Sequence, residues 1–520
     1  MKLFPSLLIA CWLPLALAHA GEAAPRCTYV DVADLPIRYV GLSLMPAVDG
    51  TINGTPATVL VDTGAFATQL TMNGATRRDL RLGMMPGRWV EGIGGSSRLY
   101  STRLKEFAIG PARTPRSIEV MVIGEDNLTP AFDAIAGAPF LLQADLEIDL
   151  RSKQMRFYRP RDCGKTELLL WKEPTVVMPF ERHFDSSPNP HFTVEVNGKK
   201  LDAIIDTGAH HTVMTLPAAK RAGIDVAGPG VRRLGDMGGV GSERAAHWAV
   251  LTKTVRIGDE TINNAEIGIV DAQGETGAEL FLGQDFLRAH RVLFAMSQEK
   301  IYFAYLGGDA FTRSDGMPDW VRAEAEGGNA DAEYVLALAY RNGHGVTRDA
   351  VAATAWLRKA AAGGEPHANL TVGRQLMLSG HVLEAIPKLR DALDKLPADR
   401  IGPLWLYLAR VRNGEAALAK TELQASLKRQ KQDDWPEPIA EFYLGELDAA
   451  HLLDQAGKDK KFAHARTCMA NSLMAEWHAA QGQQDQAGAL KATLRAQCAP
   501  ALAPASSPAP APAQAQPATP

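Results

Sequence analysis

From about residue 28 to residue 306 the chain alternates short apolar runs with turn residues, the pattern of mostly β structure. Two of these runs share one context. Thr58-Val59-Leu60-Val61 and Leu201-Asp202-Ala203-Ile204-Ile205 each read as a buried strand, and each follows an Asn-Gly hairpin signal, at Asn53-Gly54 and Asn197-Gly198. Two similar segments, Lys153-Gln154-Met155-Arg156-Phe157-Tyr158 and Lys300-Ile301-Tyr302-Phe303-Ala304-Tyr305, close the two halves. The pattern predicts two lobes, residues 28–161 and 165–306. After Gly307-Gly308 it changes to alanine-rich helical periodicity, which predicts an all-α domain over 317–498. Residues 499–520 are almost wholly Ala, Pro, Ser and Gln, a composition that cannot bury a core and is expected to be disordered.

Both apolar runs end in the same tetrapeptide, Asp62-Thr63-Gly64-Ala65 and Asp206-Thr207-Gly208-Ala209. An Asp that closes an apolar strand is poorly placed for stability, because its carboxylate is carried towards the interior, where ionisation is costly. At average composition a tripeptide such as Asp-Thr-Gly occurs by chance about 0.1 times in a chain of this length. One copy would read as a turn; two in the same register point to chemistry. Two such carboxylates meeting across a pseudo-twofold axis would share one proton, because like charges roughly 3 Å apart cannot both ionise.

The duplication extends further. Asp133-Ala134-Ile135-Ala136-Gly137-Ala138-Pro139-Phe140-Leu141 follows the first tetrapeptide, and Glu279-Leu280-Phe281-Leu282-Gly283-Gln284-Asp285-Phe286-Leu287 follows the second. The aspartates lie 144 residues apart and the two glycines 146, so the halves differ by a two-residue insertion. Between these landmarks each half carries a glycine-rich stretch, Gly92-Ile93-Gly94-Gly95 and Gly238-Gly239-Val240-Gly241. Each reads as the tip of a mobile hairpin.

Over residues 28–306 this pattern resembles the retropepsin and pepsin-type aspartic proteases, and within them the bacterial retropepsin-like branch that carries both lobes on one chain. The resemblance implies a two-lobed acid-protease fold in which Asp62 and Asp206 hold and activate a water, one as general base and one protonated. That sharing of a proton by a carboxylate pair is the established behaviour of aspartic proteases. The resemblance also implies that Thr63 and Thr207 lock the two loops together. Gly64 and Gly208 would allow close approach, and Gly92, Gly94, Gly95, Gly239 and Gly241 would form flaps over a peptide. Gly137 and Gly283 would pack beneath the active strands. Some positions depart from the pattern. His210 and His211 stand where the first half has Phe66 and Ala67, and read either as ordinary solvent-facing loop residues, the favoured reading, or as groups that alter the pH dependence of the pair. Ala136 is small for the position before Gly137, and neither Trp89 nor Tyr100 can be assigned as a flap aromatic.

Residues 326–361 resemble a Sel1-type repeat, with Gly343 and Gly345 turning between two helices, and 439–453 and 467–498 resemble looser tetratricopeptide units. Such a region either caps the β lobes or binds a protein partner or substrate.

With 46% hydrophobic residues and a net charge of −4, the chain can bury several cores and carries no basic patch for nucleic acid. Residues 1–20 read as a secretory signal: Lys2, an apolar run from Leu7 to Leu17, and Ala18-His19-Ala20 as a cleavage site. The expected location is periplasmic or secreted, without a membrane span; Leu8-Ile9-Ala10-Cys11 is a weaker lipoprotein signal. No long segment separates Gly21 from the first lobe, so activation by removal of a large prosegment is not expected. Once Cys11 leaves with the signal, four cysteines remain, and they allow three pairings. Cys27 and Cys163 flank the first lobe, whose ends are expected to meet, and Cys468 and Cys498 bracket the last helical hairpin. The expected bridges are therefore Cys27–Cys163 and Cys468–Cys498. The thirteen histidines are scattered, and no metal-ligand spacing, phosphate loop or dinucleotide fingerprint occurs, so neither metal nor cofactor is expected. The expected activity is that of an exported aspartic endopeptidase acting on peptides or proteins. The alternative is a non-catalytic peptide-binding scaffold using the same cleft.

Overall fold

The computed structural model describes residues 27–498, except 115, 125–131, 164–167, 169–170, 184–186, 242, 273–276, 312, 314–315, 398 and 431–434. Residues 1–20, read above as a secretory signal, and the tail 499–520 lie outside the described residues.

Each half of the β region is organised by its Asn-Gly hairpin. Asn53 and Gly54 take φ values of 52° and 78°, and Asn197 and Gly198 take 51° and 75°. Both positive angles are what a two-residue turn needs to match the twist of its strands. The hairpins fix the register of Met45–Ile52 on Thr55–Val61 and of Ser187–Val196 on Lys199–Ile205. The second strand of each pair then runs parallel to the later landmark. Val59, Leu60 and Val61 face Ala134, Ile135 and Ala136, while Ala203, Ile204 and Ile205 face Leu280, Phe281 and Leu282. The internal repeat is therefore kept in three dimensions. Val59, Leu60 and Val61 are all buried, as the unbroken apolar run requires of a strand covered on both faces.

An ion pair is duplicated with the strands. Arg78 contacts Asp133 at 2.9 Å, Arg221 pairs with Glu279, and each acid also accepts a backbone N–H from its neighbouring strand, from Thr58 at 2.9 Å and Asp202 at 3.1 Å. Each lobe contains one ten-stranded sheet.

A third sheet joins the two lobes. Six strands lie in the order Thr28–Pro36, Gln154–Arg161, Asp145–Asp149, His290–Ala295, Lys300–Tyr305 and Thr175–Pro179. The two halves join where Leu146 faces Phe294. Asp145–Asp149 is buried along its length, and it pairs on one side with its own lobe and on the other with the second. Thr28 faces Arg161 at one edge, which brings Cys27 and Cys163 together; they are disulfide-bonded.

From Asp319–Glu326 to Gln484–Gln497 the described structure is helical. The helix Ala330–Asn342 starts on an Asn329 cap and ends at Gly343, whose left-handed φ of 76° stops it. Gly345 also has positive φ, 67°, so both glycines turn the chain as their spacing suggests. The first helices share a core with the β lobes, through Val321, Ala325, Ala332 and Leu336. Polar contacts fix the joint: Asn329 Nδ2 donates to the Tyr39 carbonyl at 3.0 Å, and Asp331 accepts from the Gly41 N–H at 2.9 Å. The Arg288 guanidinium lies between the Tyr39 and Trp320 rings, 4.2 and 3.2 Å from their centroids. Later helices have their own core, around Leu404, Leu408, Leu452 and Leu473. Cys468 and Cys498 bridge the antiparallel pair Ala463–Ala480 and Gln484–Gln497. Among the described residues no helix is long and apolar enough to cross a membrane.

Candidate active site

The two Asp-Thr-Gly loops meet at the axis between the lobes. Each begins where its central strand ends, and each is pinned by its aspartate's backbone N–H, donated to Ala136 O at 3.1 Å from Asp62 and to Leu282 O at 2.9 Å from Asp206. The threonines join the loops reciprocally. The Thr63 N–H donates to Thr207 Oγ1 at 2.9 Å, and the Thr207 N–H donates to Thr63 Oγ1 at 3.1 Å. Their hydroxyls donate across the axis, Thr63 to Ile205 O and Thr207 to Val61 O, each at 2.7 Å. Both side chains are essentially inaccessible, at 1% and 0% exposure, so these bonds form in a low-dielectric setting.

Close approach then becomes compulsory. A Cβ on Gly64 would sit 2.3 Å from the Asp206 carboxyl carbon, and one on Gly208 would sit 2.5 Å from that of Asp62. Only glycine fits at either place. The Gly64 and Ala65 N–H groups each donate to Asp62 Oδ1 at 2.9 Å, and the Gly208 N–H donates to Asp206 Oδ1 at 2.8 Å. These donors favour the carboxylate form, and burial opposes them. Burial wins for both acids, raising Asp62 above the ordinary carboxylate range. Asp206 is raised further, because the Asp62 charge adds to its own desolvation. Such a pair holds one proton between its two members over a wide pH range.

Gly137 and Gly283 support the loops from equivalent positions. Their N–H groups donate to Thr68 Oγ1 at 3.2 Å and Thr212 Oγ1 at 3.0 Å, and a Cβ on either would lie 2.8 Å from Ala65 O or Ala209 O. In the second lobe the buried Asp285 carboxylate adds to this, accepting from the Thr212 N–H at 2.9 Å and hydroxyl at 2.7 Å.

A cleft of about 440 Å³ lies over the aspartates. Strands Gly83–Gly92 and Gly95–Leu104 form a hairpin whose tip, Gly92-Ile93-Gly94-Gly95, covers it from the first lobe. In the second lobe the equivalent arm is less regular, with an isolated bridge between Met237 and Ala245 below the tip. The tips touch. The Glu243 N–H donates to Gly94 O at 2.8 Å, and Gly241, at φ 102°, leaves only 2.1 Å between a would-be Cβ and that same oxygen. The tips also exchange side chains: Ile93 packs against the second-lobe cluster of Val213, Ala245 and Val270, while Val240 packs against the first-lobe cluster around Val90 and Ile135.

His210 does not face solvent as its loop position suggested. It lines the cleft beside Ala209, as does His211, and its ring lies 4.4 Å from that of His211. The His210 pKa is pushed down to about 3 by burial, with the His211 and Arg288 charges adding to it. Sequence reasoning also missed two buried amides under the loops, Asn189 and Gln284, since nothing local marks an amide as reaching a distant carbonyl. Trp89 is half exposed on the flap beneath Arg98, and neither Trp89 nor Tyr100 lines the cleft. Among the described residues no group of three His, Cys, Asp or Glu side chains is placed to hold a metal ion.

The family model for gag-polyprotein putative aspartyl proteases matches the chain twice, over residues 48–142 and 192–289. Each match spans one Asp-Thr-Gly loop, one glycine-rich tip and one supporting glycine. No curated protein matches the sequence. The N-terminal region is thus an aspartic protease-like domain built from two copies of one unit.

Proposed function

We propose that the chain is an exported aspartic endopeptidase in which Asp62 and Asp206 activate a water molecule. The reciprocal joining of the two loops through Thr63 and Thr207 carries this reading, since it sets two partly buried carboxyl groups together at the floor of the cleft. Burial raises both acids and their mutual charge keeps them from ionising together, so the pair shares one proton, one member acting as base and the other, protonated, as acid. Water attacks the peptide carbonyl while its proton passes to the ionised member of the pair and the proton of the other member passes to the carbonyl oxygen, which gives a neutral tetrahedral diol. Its collapse breaks the C–N bond, with a proton delivered to the departing amine. The flap tips exclude bulk water, which strengthens each of these transfers.

Both aspartates, both threonines and both tips are in place, so the site offers no support for a non-catalytic scaffold. The two disulfides favour an oxidising compartment, in accord with the secretory signal read at residues 1–20. The helical domain, docked on the β region, supplies a surface for a partner or for substrate. Digestion of a peptide library with the wild type and with Asp62→Asn tests the activity. Cleavages present in both samples at the same rate would contradict it.

A further inference from the structure

The peptide units that follow the two aspartates have a partner on their other side. The Asn189 amide donates to the Thr63 carbonyl, and Gln284 Nε2 donates to the Thr207 carbonyl at 3.3 Å. Each carbonyl belongs to the same peptide unit as the N–H that reaches the carboxylate. Gly64 N–H donates to Asp62, and Gly208 N–H to Asp206. A donor on the oxygen of an amide polarises its N–H and strengthens the bond that N–H makes. Both side chains are sealed from solvent, Asn189 at 0% and Gln284 at 1% exposure, so they have no water to exchange with.

The donors break the internal symmetry. Asn189 stands eight residues before Asn197 in its hairpin, and Met45 stands eight residues before Asn53. Met45 is therefore the counterpart of Asn189, and a thioether cannot donate. Gln284 lies against it instead, with Nε2 at 3.1 Å from the Met45 sulfur, and takes over the missing amide. The second lobe thus supplies both donors, one across the axis and one within itself. A duplicated pair would have used Asn at both places.

We propose that Asn189 and Gln284 are positioning residues for Asp62 and Asp206, acting through the Thr63–Gly64 and Thr207–Gly208 peptide units. The proposal rests on the protease reading above. Neither side chain touches substrate; each fixes how strongly a backbone N–H holds its carboxylate. The titratable groups lining the same cleft are the two aspartates, Glu91 on the flap, and His210 and His211.

The test is the pH profile of kcat/KM for the full chain carrying Asn189→Leu, Gln284→Leu, or Met45→Asn together with Gln284→Leu. Each single change is expected to raise the lower apparent pKa of the pair by about half to one pH unit, and to lower kcat with little change in KM. Met45→Asn restores a donor at the symmetry-related place, and is expected to return the Gln284→Leu profile towards wild type. Should Asn189→Leu not fold, Gln284→Leu and its rescue decide the matter alone. Folded single variants whose profiles superimpose on wild type, while Asp62→Asn is inactive, overturn the positioning role and leave the dyad standing. An active Asp62→Asn overturns both.

Discussion

Phe66 and His210 occupy equivalent places, each four residues beyond its aspartate, and both line the cleft. Phe66 packs with the first-lobe apolar cluster, whereas His210 lies tilted against His211 and keeps its buried Nδ1 without a protein partner. The two halves of the cleft thus differ at matched positions. With its pKa near 3 the imidazole is neutral at mild acidity and above, and offers a hydrogen-bonding atom rather than a charge.

His210→Phe is therefore expected to make the halves alike. Cleavage-site profiling should show apolar side chains gaining on the second-lobe side of the scissile bond, with preferences on the other side unchanged. An unaltered profile would remove His210 from the specificity determinants.

The carboxyl pair is expected to weaken the fold it serves. Burial and the Asp62 charge hold Asp206 well above its ordinary 3.8, so above that pH the folded protein binds more protons than the unfolded chain. Stability then falls as pH rises from 3.8 towards the folded value, and the loss persists beyond it. Asp206→Asn is neutral throughout. Its melting temperature at pH 7 is expected to exceed that of wild type by about 2–5 °C, with the gap closing near pH 4. A lower melting temperature at pH 7 would show that the carboxyl is stabilised by contacts other than those described.

The joint between the domains reaches the site through one short helix. Gln284–Ala289 carries Gln284 and Asp285 under the loops and Arg288 between Tyr39 and Trp320. Trp320→Ala would uncover Arg288, costing about 2–4 kcal/mol in lost packing and cation–π attraction. Hydrolysis should fall with stability. The control, Leu383→Ala at a site 75% exposed, should change neither.

The hairpin bridge is remote from the chemistry. Removing it with Cys468→Ser and Cys498→Ser is expected to cost roughly 2–4 kcal/mol in the helical domain and to leave hydrolysis intact. Unfolding followed by circular dichroism, alongside activity, separates the two; loss of activity at full folding would give the last helices a role in the cleft.

The duplicated unit was legible because local rules write it plainly. Asn53-Gly54 and Asn197-Gly198 dictate hairpins, unbroken apolar runs dictate central strands, and an Asp at the end of each has no place in a simple core. The cysteine pairings followed from which chain ends an antiparallel hairpin and a closed lobe bring together. The third sheet was not legible, because the Leu146–Phe294 pairing joins segments far apart in sequence that look complete without each other. His210 was misread for a related reason: a histidine after a glycine turn has the composition of a loop, and only its placement in the cleft against the His211 ring shows that it leaves bulk solvent. Asn189 and Gln284 carry no periodic signal either, since their partners are carbonyls chosen by tertiary structure.

The direct measurement is single-turnover peptide hydrolysis by Asp62→Asn and Asp206→Asn beside wild type, across pH, with folding checked on the same samples. A pair sharing one proton requires both acids, so each variant is expected to lose several orders of magnitude in rate while remaining folded. The wild-type rate should decline on the alkaline side as the shared proton is lost. Near wild-type hydrolysis by either folded variant would contradict the assignment of Asp62 and Asp206 as the catalytic pair.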